Sequence, residues 1–486
     1  MTSVSFTRRS FVTGTASALA LASVPKLAFG VTTPPTVRLE WQAFKSTPSF
    51  QSYYNAVRMM KANTNAGSPS SWQYWANVHR NYCPHSVAYF LAWHRGYIYY
   101  FEQQLRKVSG DTSLVLPYWD YYTYPVIPSE FTDTARGNPL YNSRVNTNVY
   151  QALDLSPFND SNFQRGLSQA FEPALENAPH DPVHDVIGGY MADINTAALD
   201  PLFYLHHCNL DRLWNAWSLR TTSRVPAATN SYWTGNFTYA SGLTMARSST
   251  RTTTGLSYDY ANDTTPKTLP PQAQQGRIVR VQAQLGATLV RPAPVALPTT
   301  PGRAVSSTRK SLGGVKGLTL GVNSLTAVIP VQAANATALQ DVLTTSPAIG
   351  LSDSPAAGQA QPHAAAPNGN SFQYVKLVLD GLSIAALAAS GGFFFEVYLN
   401  LPPSGEVEAA KGRHFVGTLG AFEISVAAMH GMSMITYDVT DLLARQGAGN
   451  SGQVSVSFLR KSGANSPKGN AISANEMRVE LGADAP

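Results

Sequence analysis

Seven of the ten histidines in this chain stand in its first half, in two groups: His79, His85 and His94, then His180, His184, His206 and His207. A single histidine on a helix is ordinarily packed or solvated. Six at such spacings in one domain constrain the fold far more, because two clusters of three or four imidazoles are the arithmetic of a two-metal site, and the chain must bring its helices together around them. His180 and His184 are four apart, so on a helix they share one face and can bind one ion together. The sequence predicts a helix from Pro84 to Lys107, with proline near the first turn, apolar and aromatic residues every three or four positions, and Arg106 and Lys107 before the stop at Gly110. His85 would then sit one residue inside that helix, with His94 near its middle. A second helix is predicted from about Pro201 to Leu219, burying Phe203, Leu210, Leu213, Trp214 and Trp217.

The donor type selects the metal. Imidazole suits copper, zinc, iron and nickel, whereas di-iron and most hydrolytic di-metal sites add bridging carboxylates. No acidic residue shares the ligand spacing here. Six neutral imidazoles leave the metal charge uncompensated, which favours low-charge copper at rest and dioxygen chemistry. A dizinc hydrolase is the non-redox alternative, disfavoured by the absent carboxylate bridge.

Composition narrows the class further. The 486 residues are 44% hydrophobic, enough for one large core or two ordinary ones, and 23 Tyr, 20 Phe and 8 Trp suit a densely packed enzyme. The net charge of +6 draws on Arg8, Arg9 and Lys26, all within the first thirty residues, so no basic face argues for a nucleic-acid partner. Thr7-Arg8-Arg9-Ser10-Phe11-Val12 is a twin-arginine motif, followed by an apolar stretch to Val24 and small residues near Ala28 and Gly30. Residues 1–30 are therefore expected to be a cleaved export signal, too short and interrupted for a membrane anchor, giving a periplasmic or secreted protein whose cofactor is inserted before translocation. The two cysteines, Cys83 and Cys208, both sit inside the histidine-rich segments. A chain of this size needs no disulfide.

Residues 31–262 read as a mainly α catalytic domain. Residues 263–275, with Pro266, Pro270 and Pro271, read as a linker. Residues 276–486 change period: Arg277 to Leu285, Tyr374 to Leu379, Phe393 to Leu399, Met434 to Val439 and Gln453 to Leu459 are short, β-branched or aromatic, and separated by turn residues, which predicts an antiparallel β-sandwich. Residues 353–370, rich in Ala, Pro and Gly, are expected to form a mobile loop.

Two stretches carry a family resemblance. His85-Ser86-Val87-Ala88-Tyr89-Phe90-Leu91-Ala92-Trp93-His94-Arg95, continuing to Glu102, and Asp200-Pro201-Leu202-Phe203-Tyr204-Leu205-His206-His207-Cys208-Asn209-Leu210-Asp211 resemble the two copper motifs of the type 3 copper proteins: tyrosinases, catechol oxidases and hemocyanins. The resemblance implies a four-helix bundle around a dinuclear copper centre, with His79, His85 and His94 on the first ion, His180, His184 and His207 on the second, and His206 in the pocket wall. O2 is the implied co-substrate. Tyr258-Asp259-Tyr260 looks like the tyrosine motif that closes the family's catalytic domain, with Arg38 packed against it, and Asp211 is expected either to orient an active-site ring or to form a surface salt bridge with Arg212 or a neighbour. The C-terminal half, including Tyr374 to Asp380 and Asp438 to Leu443, is similar to the C-terminal domain of plant polyphenol oxidases. By that likeness it covers the site, with Met429 to Met434 expected to supply the covering side chain and His430 close by.

The resemblance also assigns finer roles. Cys83 and His85 form a Cys-x-His pair of the kind bridged by a thioether in fungal tyrosinases and molluscan hemocyanins. Glu176 aligns with the glutamate that holds a water near the second copper. Asp181, which stands where many tyrosinases have Asn, is expected either to serve as a catalytic base itself or to spoil the water arrangement; Asp185 follows the next ligand, and Ile194 occupies the position that gates the pocket. Three carboxylates near one pocket should raise at least one pKa. The implied activity is hydroxylation of monophenols and oxidation of ortho-diphenols to quinones, with small phenols as partners. Catechol oxidase activity alone and a hemocyanin-like O2-binding unit are the alternatives, and a homo-oligomer is left open.

Overall fold

A computed structural model describes residues 36–167, 169–271, 288–345, 372–450 and 452–483. The expected signal, the strand from Arg277 to Leu285 and the loop 353–370 lie outside the described residues. The described part of the linker, 263–271, has no helix or strand.

In the first half, four helices, Ser49–Ala62, Trp72–Tyr82, Phe90–Ser109 and Pro201–Ser218, form the scaffold. The Phe90–Ser109 helix packs against both Ser49–Ala62 and Pro201–Ser218. Its buried stripe, Phe90, Trp93, Tyr97, Phe101 and Leu105, follows helical spacing, and Phe101 stacks on Tyr204 at 3.7 Å. Pro201 begins the last helix behind Asp200, whose carboxylate accepts the Leu202 N–H at 2.9 Å. The predicted helix from Pro84 starts only at Phe90. Ser86 and Tyr89 have φ of +58° and +77°, so the apolar spacing before Phe90 belongs to a turned loop, and His85 sits on that loop and not inside the helix. The backbone is turned there because the Ser86 N–H is bound by Glu176 at 2.7 Å.

Besides a two-stranded pairing of Thr288–Val290 with Ser404–Glu406, the second half holds two larger sheets. One is ordered Met434–Asp438, Tyr374–Asp380, Ile472–Gly482, Arg309–Leu320, Thr299–Ser306; the other Phe415–Gly420, Phe393–Leu399, Gln453–Ser462, Leu325–Pro330, Pro294–Val295. Their pairings are antiparallel except that of Pro294–Val295 with Leu325–Pro330. Alternate residues Val375, Leu377 and Leu379 of one sheet share a core with Phe395, Val397 and Leu399 of the other. Four helices join these strands without having been predicted: Ala333–Thr345, Val407–His414, Ala421–Met429 and Thr440–Arg445. Phe394, Phe422 and Val426 belong to the core of the first half, so the two halves pack on one another.

That packing is sealed by backbone. The Gly392 N–H donates to the Asp185 carbonyl at 2.7 Å, and Gly189 N–H to the Ser390 carbonyl at 2.8 Å. A Cβ on Gly391 would stand 2.7 Å from that of Ala192, which explains a glycine at this close approach.

Candidate metal centre

His79 closes the last turn of the Trp72–Tyr82 helix, His94 lies in the second turn of Phe90–Ser109, His184 sits on Asp181–Ile187, and His206 and His207 on Pro201–Ser218. His180 directly precedes the His184 helix, and the two rings are 4.7 Å apart. These elements gather the rings into two groups, His79/His85/His94 and His180/His184/His206/His207, with one nitrogen of each residue within 4.8 Å of the others in its group. The groups adjoin: His94 and His207 stack at 4.4 Å, and His85 and His180 at 5.7 Å.

The hydrogen bonds select the tautomers. His94 Nδ1–H donates to the Phe90 carbonyl at 2.8 Å, His184 Nδ1–H to the Met191 carbonyl at 2.8 Å, and His180 Nδ1–H to Asp181 Oδ1 at 2.7 Å. A carbonyl only accepts, so the opposite nitrogen of those rings carries the lone pair. Nε2 of His85, His94, His180 and His184 is buried with no hydrogen-bond partner, as are both nitrogens of His79, His206 and His207. Burial pushes all seven pKa values down, reinforced by neighbouring imidazoles at every ring but His94, with His94 and His184 at about 3. Neutral, oriented imidazoles with orphaned nitrogens are costly unless an ion takes them. Two nitrogen sets without a bridging carboxylate fit a pair of copper ions.

Around this core Cys83 Sγ lies 3.0 Å from His85 Nδ1, and burial raises its thiol pKa. Glu176 forms an ion pair with Arg165 besides holding Ser86. Ile194 is buried, and its N–H donates to Ser425 Oγ at 2.9 Å. Asp185 accepts the Phe422 N–H at 2.8 Å. Burial raises Glu176, Asp181 and Asp185 together, and the charge of Glu423 adds to the rise at both aspartates. Glu423 was not anticipated.

Two expectations need correction. Asp211 reaches neither an active-site ring nor Arg212: buried, it binds Arg95 at 2.6 Å and the hydroxyls of Tyr258 and Tyr260, while Arg212 pairs with Asp120. Arg38 lies over the Tyr258 ring at 3.7 Å, which makes this a structural hub tying the ends of the helical half together. The covering side chain comes from seven residues earlier than expected. Phe422, not the Met429 to Met434 segment, enters the histidine cluster, stacking on His184 at 4.2 Å and lying 5.6 to 5.7 Å from His180 and His85. Met432 is exposed and Met429 only partly buried. Met429 and His430 instead line a cavity of about 530 Å³ with Arg80, Asn81 and Asn195. A lone phenylalanine in the first turn of a short helix leaves no spacing signal. Among the described residues no helix is long and apolar enough to cross a membrane.

A family model described as the common central domain of tyrosinase matches residues 69–163 and 129–220. The chain is 34% identical over 189 residues to tyrosinase HcTyr1 of Hahella sp. (strain CCB-MM4), covering 31% of this chain and 41% of that protein. It is 27% identical over 221 residues to the chloroplastic polyphenol oxidase E of Solanum lycopersicum, covering 33% and 37%. The matches thus span well under half the length of either relative. A solved structure of latent aurone synthase (polyphenol oxidase) from natural source superposes over 95% of this chain and 93% of that one, at a TM-score of 0.47 and 17% identity. Residues 69–220, which the model of the common central domain of tyrosinase matches, hold both copper motifs and all seven clustered histidines.

Proposed function

We propose that the chain is an exported phenol oxidase that hydroxylates monophenols to ortho-diphenols and oxidises ortho-diphenols to ortho-quinones with O2, acting on small phenols. The observation that carries this reading is the two adjoining sets of buried imidazoles whose nitrogens have no partner. His79, His85 and His94 would hold one copper, and His180, His184 and His207 the other, with His206 in the wall. Bound there, the copper pair supplies O2 activation and a two-electron acceptor. The chain's own residues then fix the geometry. Phe90, Met191 and Asp181 hold three rings by Nδ1, and a diphenol that replaces the Phe422 ring against His184 loses two electrons and two protons and leaves as the quinone. A thioether from Cys83 to His85 would fix a ligand that otherwise rides on a loop. The bundle of residues 31–262 is the catalytic domain, 263–275 the linker and 276–486 a sandwich that covers the site, and export follows the twin-arginine route.

A second reading, diphenol oxidation without monophenol hydroxylation, is favoured by one contact. Asp181 Oδ1 is engaged by His180 Nδ1, which withdraws it from the phenolic proton that hydroxylation must remove. Oxygen uptake by copper-loaded protein on a paired monophenol and diphenol tests both readings. Uptake with both supports the first, uptake with the diphenol alone the second, and uptake with neither overturns the assignment.

A further inference from the structure

A cavity of about 1250 Å³ opens in the C-terminal half, on residues that do not touch the histidine cluster. Three arginines from three separate segments line it: Arg291 after the Thr288–Val290 strand, Arg413 on the Val407–His414 helix, and Arg445 at the end of Thr440–Arg445. Among the described residues, no aspartate or glutamate is in its lining. None of the three guanidinium groups forms an ion pair among the described residues; Arg291 donates to the Leu401 carbonyl at 3.3 Å and Arg445 to the Asp441 carbonyl at 3.3 Å, both neutral acceptors. The Asp160 carboxyl, raised to about 7 by burial and drawn down by Arg445, lies outside the lining.

The floor of the cavity is built. Gln446 Nε2 donates to the Arg413 carbonyl at 2.7 Å, its Oε1 accepts from Asn400 at 2.9 Å, and Asn400 Oδ1 accepts the Ser455 N–H at 2.9 Å. His414 Nδ1–H donates to the Leu399 carbonyl at 2.9 Å, which leaves Nε2 for a ligand. Behind the wall, Lys411 of the same helix as Arg413 is pinned by Asp154 and by Glu396 at 3.2 Å. Cations held around a preformed polar floor, without internal counter-charges, are what recognition of several anionic oxygens requires.

We propose that this cavity binds a small polyanion, a molecule bearing two or more phosphate or carboxylate groups. Arginine forks supply paired N–H donors to each group, and the volume admits more than one group at a time.

The test is calorimetric titration of the full-length protein with tripolyphosphate and with citrate at low ionic strength. One-to-one binding is expected, weakening as salt is added, and at least tenfold weaker in Arg413→Gln/Arg445→Gln. Arg58→Gln/Lys107→Gln, which removes two charges elsewhere, should bind as the wild type does. Tighter tripolyphosphate binding makes the ligand a phosphate, tighter citrate binding a carboxylate. Because Arg413 and Arg445 are exposed, the variants should melt with the wild type. Should they not, the salt dependence and unit stoichiometry of the unaltered protein decide. Absence of binding by both probes, or equal weakening by the two double variants, overturns the proposal. The readout needs neither copper nor turnover, so it stands apart from the oxidase reading.

Discussion

His206 and His207 are neighbours on one helix, so their side chains leave it about 100° apart, yet both rings reach the second cluster. His206 stands 4.9 Å from His184 and 5.4 Å from His180, and its other side faces Tyr121 at 5.8 Å. His207 stands 5.1 Å from His180 and also stacks on His94, which places it between the two clusters. His207→Ala should therefore lose one of two coppers per chain and all diphenol oxidation, while His206→Ala keeps both ions. Copper counted per chain by atomic absorption checks this, and the reverse pattern would exchange the two assignments. At Cys83 the expected outcome is covalent. Joining sulfur to the His85 ring removes two hydrogens, with O2 as the oxidant, so copper-loaded protein should weigh about 2 Da less than its sequence and resist alkylation at Cys83. A tryptic fragment carrying alkylated Cys83 would refute it.

The Ala421–Met429 helix carries the side chain that enters the histidine cluster. Phe422 stacks on His184, where the proposed oxidase would seat a phenol ring, and it is fixed by Asp185 at its N–H, by Ser425 bonded to Ile194, and by Gly420, where a Cβ would stand 1.9 Å from Asp185 Oδ2. Phe422→Ala should cost about 3–5 kcal/mol of stability if the site does not collapse, and raise diphenol turnover several-fold at unchanged copper content. Gly420→Ala should raise turnover too, by displacing the helix, and unchanged turnover in both variants would make the cover structural. The contrast between this helix and the ligands explains what the sequence revealed. Copper accepts few side chains, so the ligands must be histidines at spacings that bring them to one point, and the helices bearing His94 and His207 show period and caps. A cover needs only shape and an apolar surface, which Phe422 shares with every core phenylalanine. The loop at His85 was misread as helix because Val87 and Phe90 continue an apolar period that the left-handed turns at Ser86 and Tyr89 break.

Across the whole molecule, a buried charge cluster of the C-terminal half meets the helical half through one ion pair, and it is expected to govern when the cover lifts. Lys411 of the C-terminal half reaches Asp154 of the helical half, and Glu396 holds Lys411 at 3.2 Å and Lys461 at 3.1 Å. Burial alone would raise the Glu396 carboxyl, but Lys411 and Lys461 overcome it and hold the pKa at about 2, while Lys411 is raised and stays charged. A carboxyl depressed on folding stabilises fully above its unfolded value of about 4.5, and that contribution fades as pH falls through about 2. The amount is on the order of 3 kcal/mol at 1.36 kcal/mol per unit. Asp181 and Asp185 act in the opposite sense, since carboxyls raised on folding bind protons as the medium turns acidic and so favour the docked state. Mild acid between pH 7 and 4.5 should therefore leave the cover closed, and release should begin only below pH 4.5. Glu396→Gln removes the ionisation at every pH, so at neutrality it should imitate the acid state, with faster amide exchange over residues 421–429 and higher diphenol turnover. If Glu396→Gln exchanges and turns over as the wild type does at pH 7, the seam at Gly189, Gly392 and Asn146 holds the halves without help from these charges.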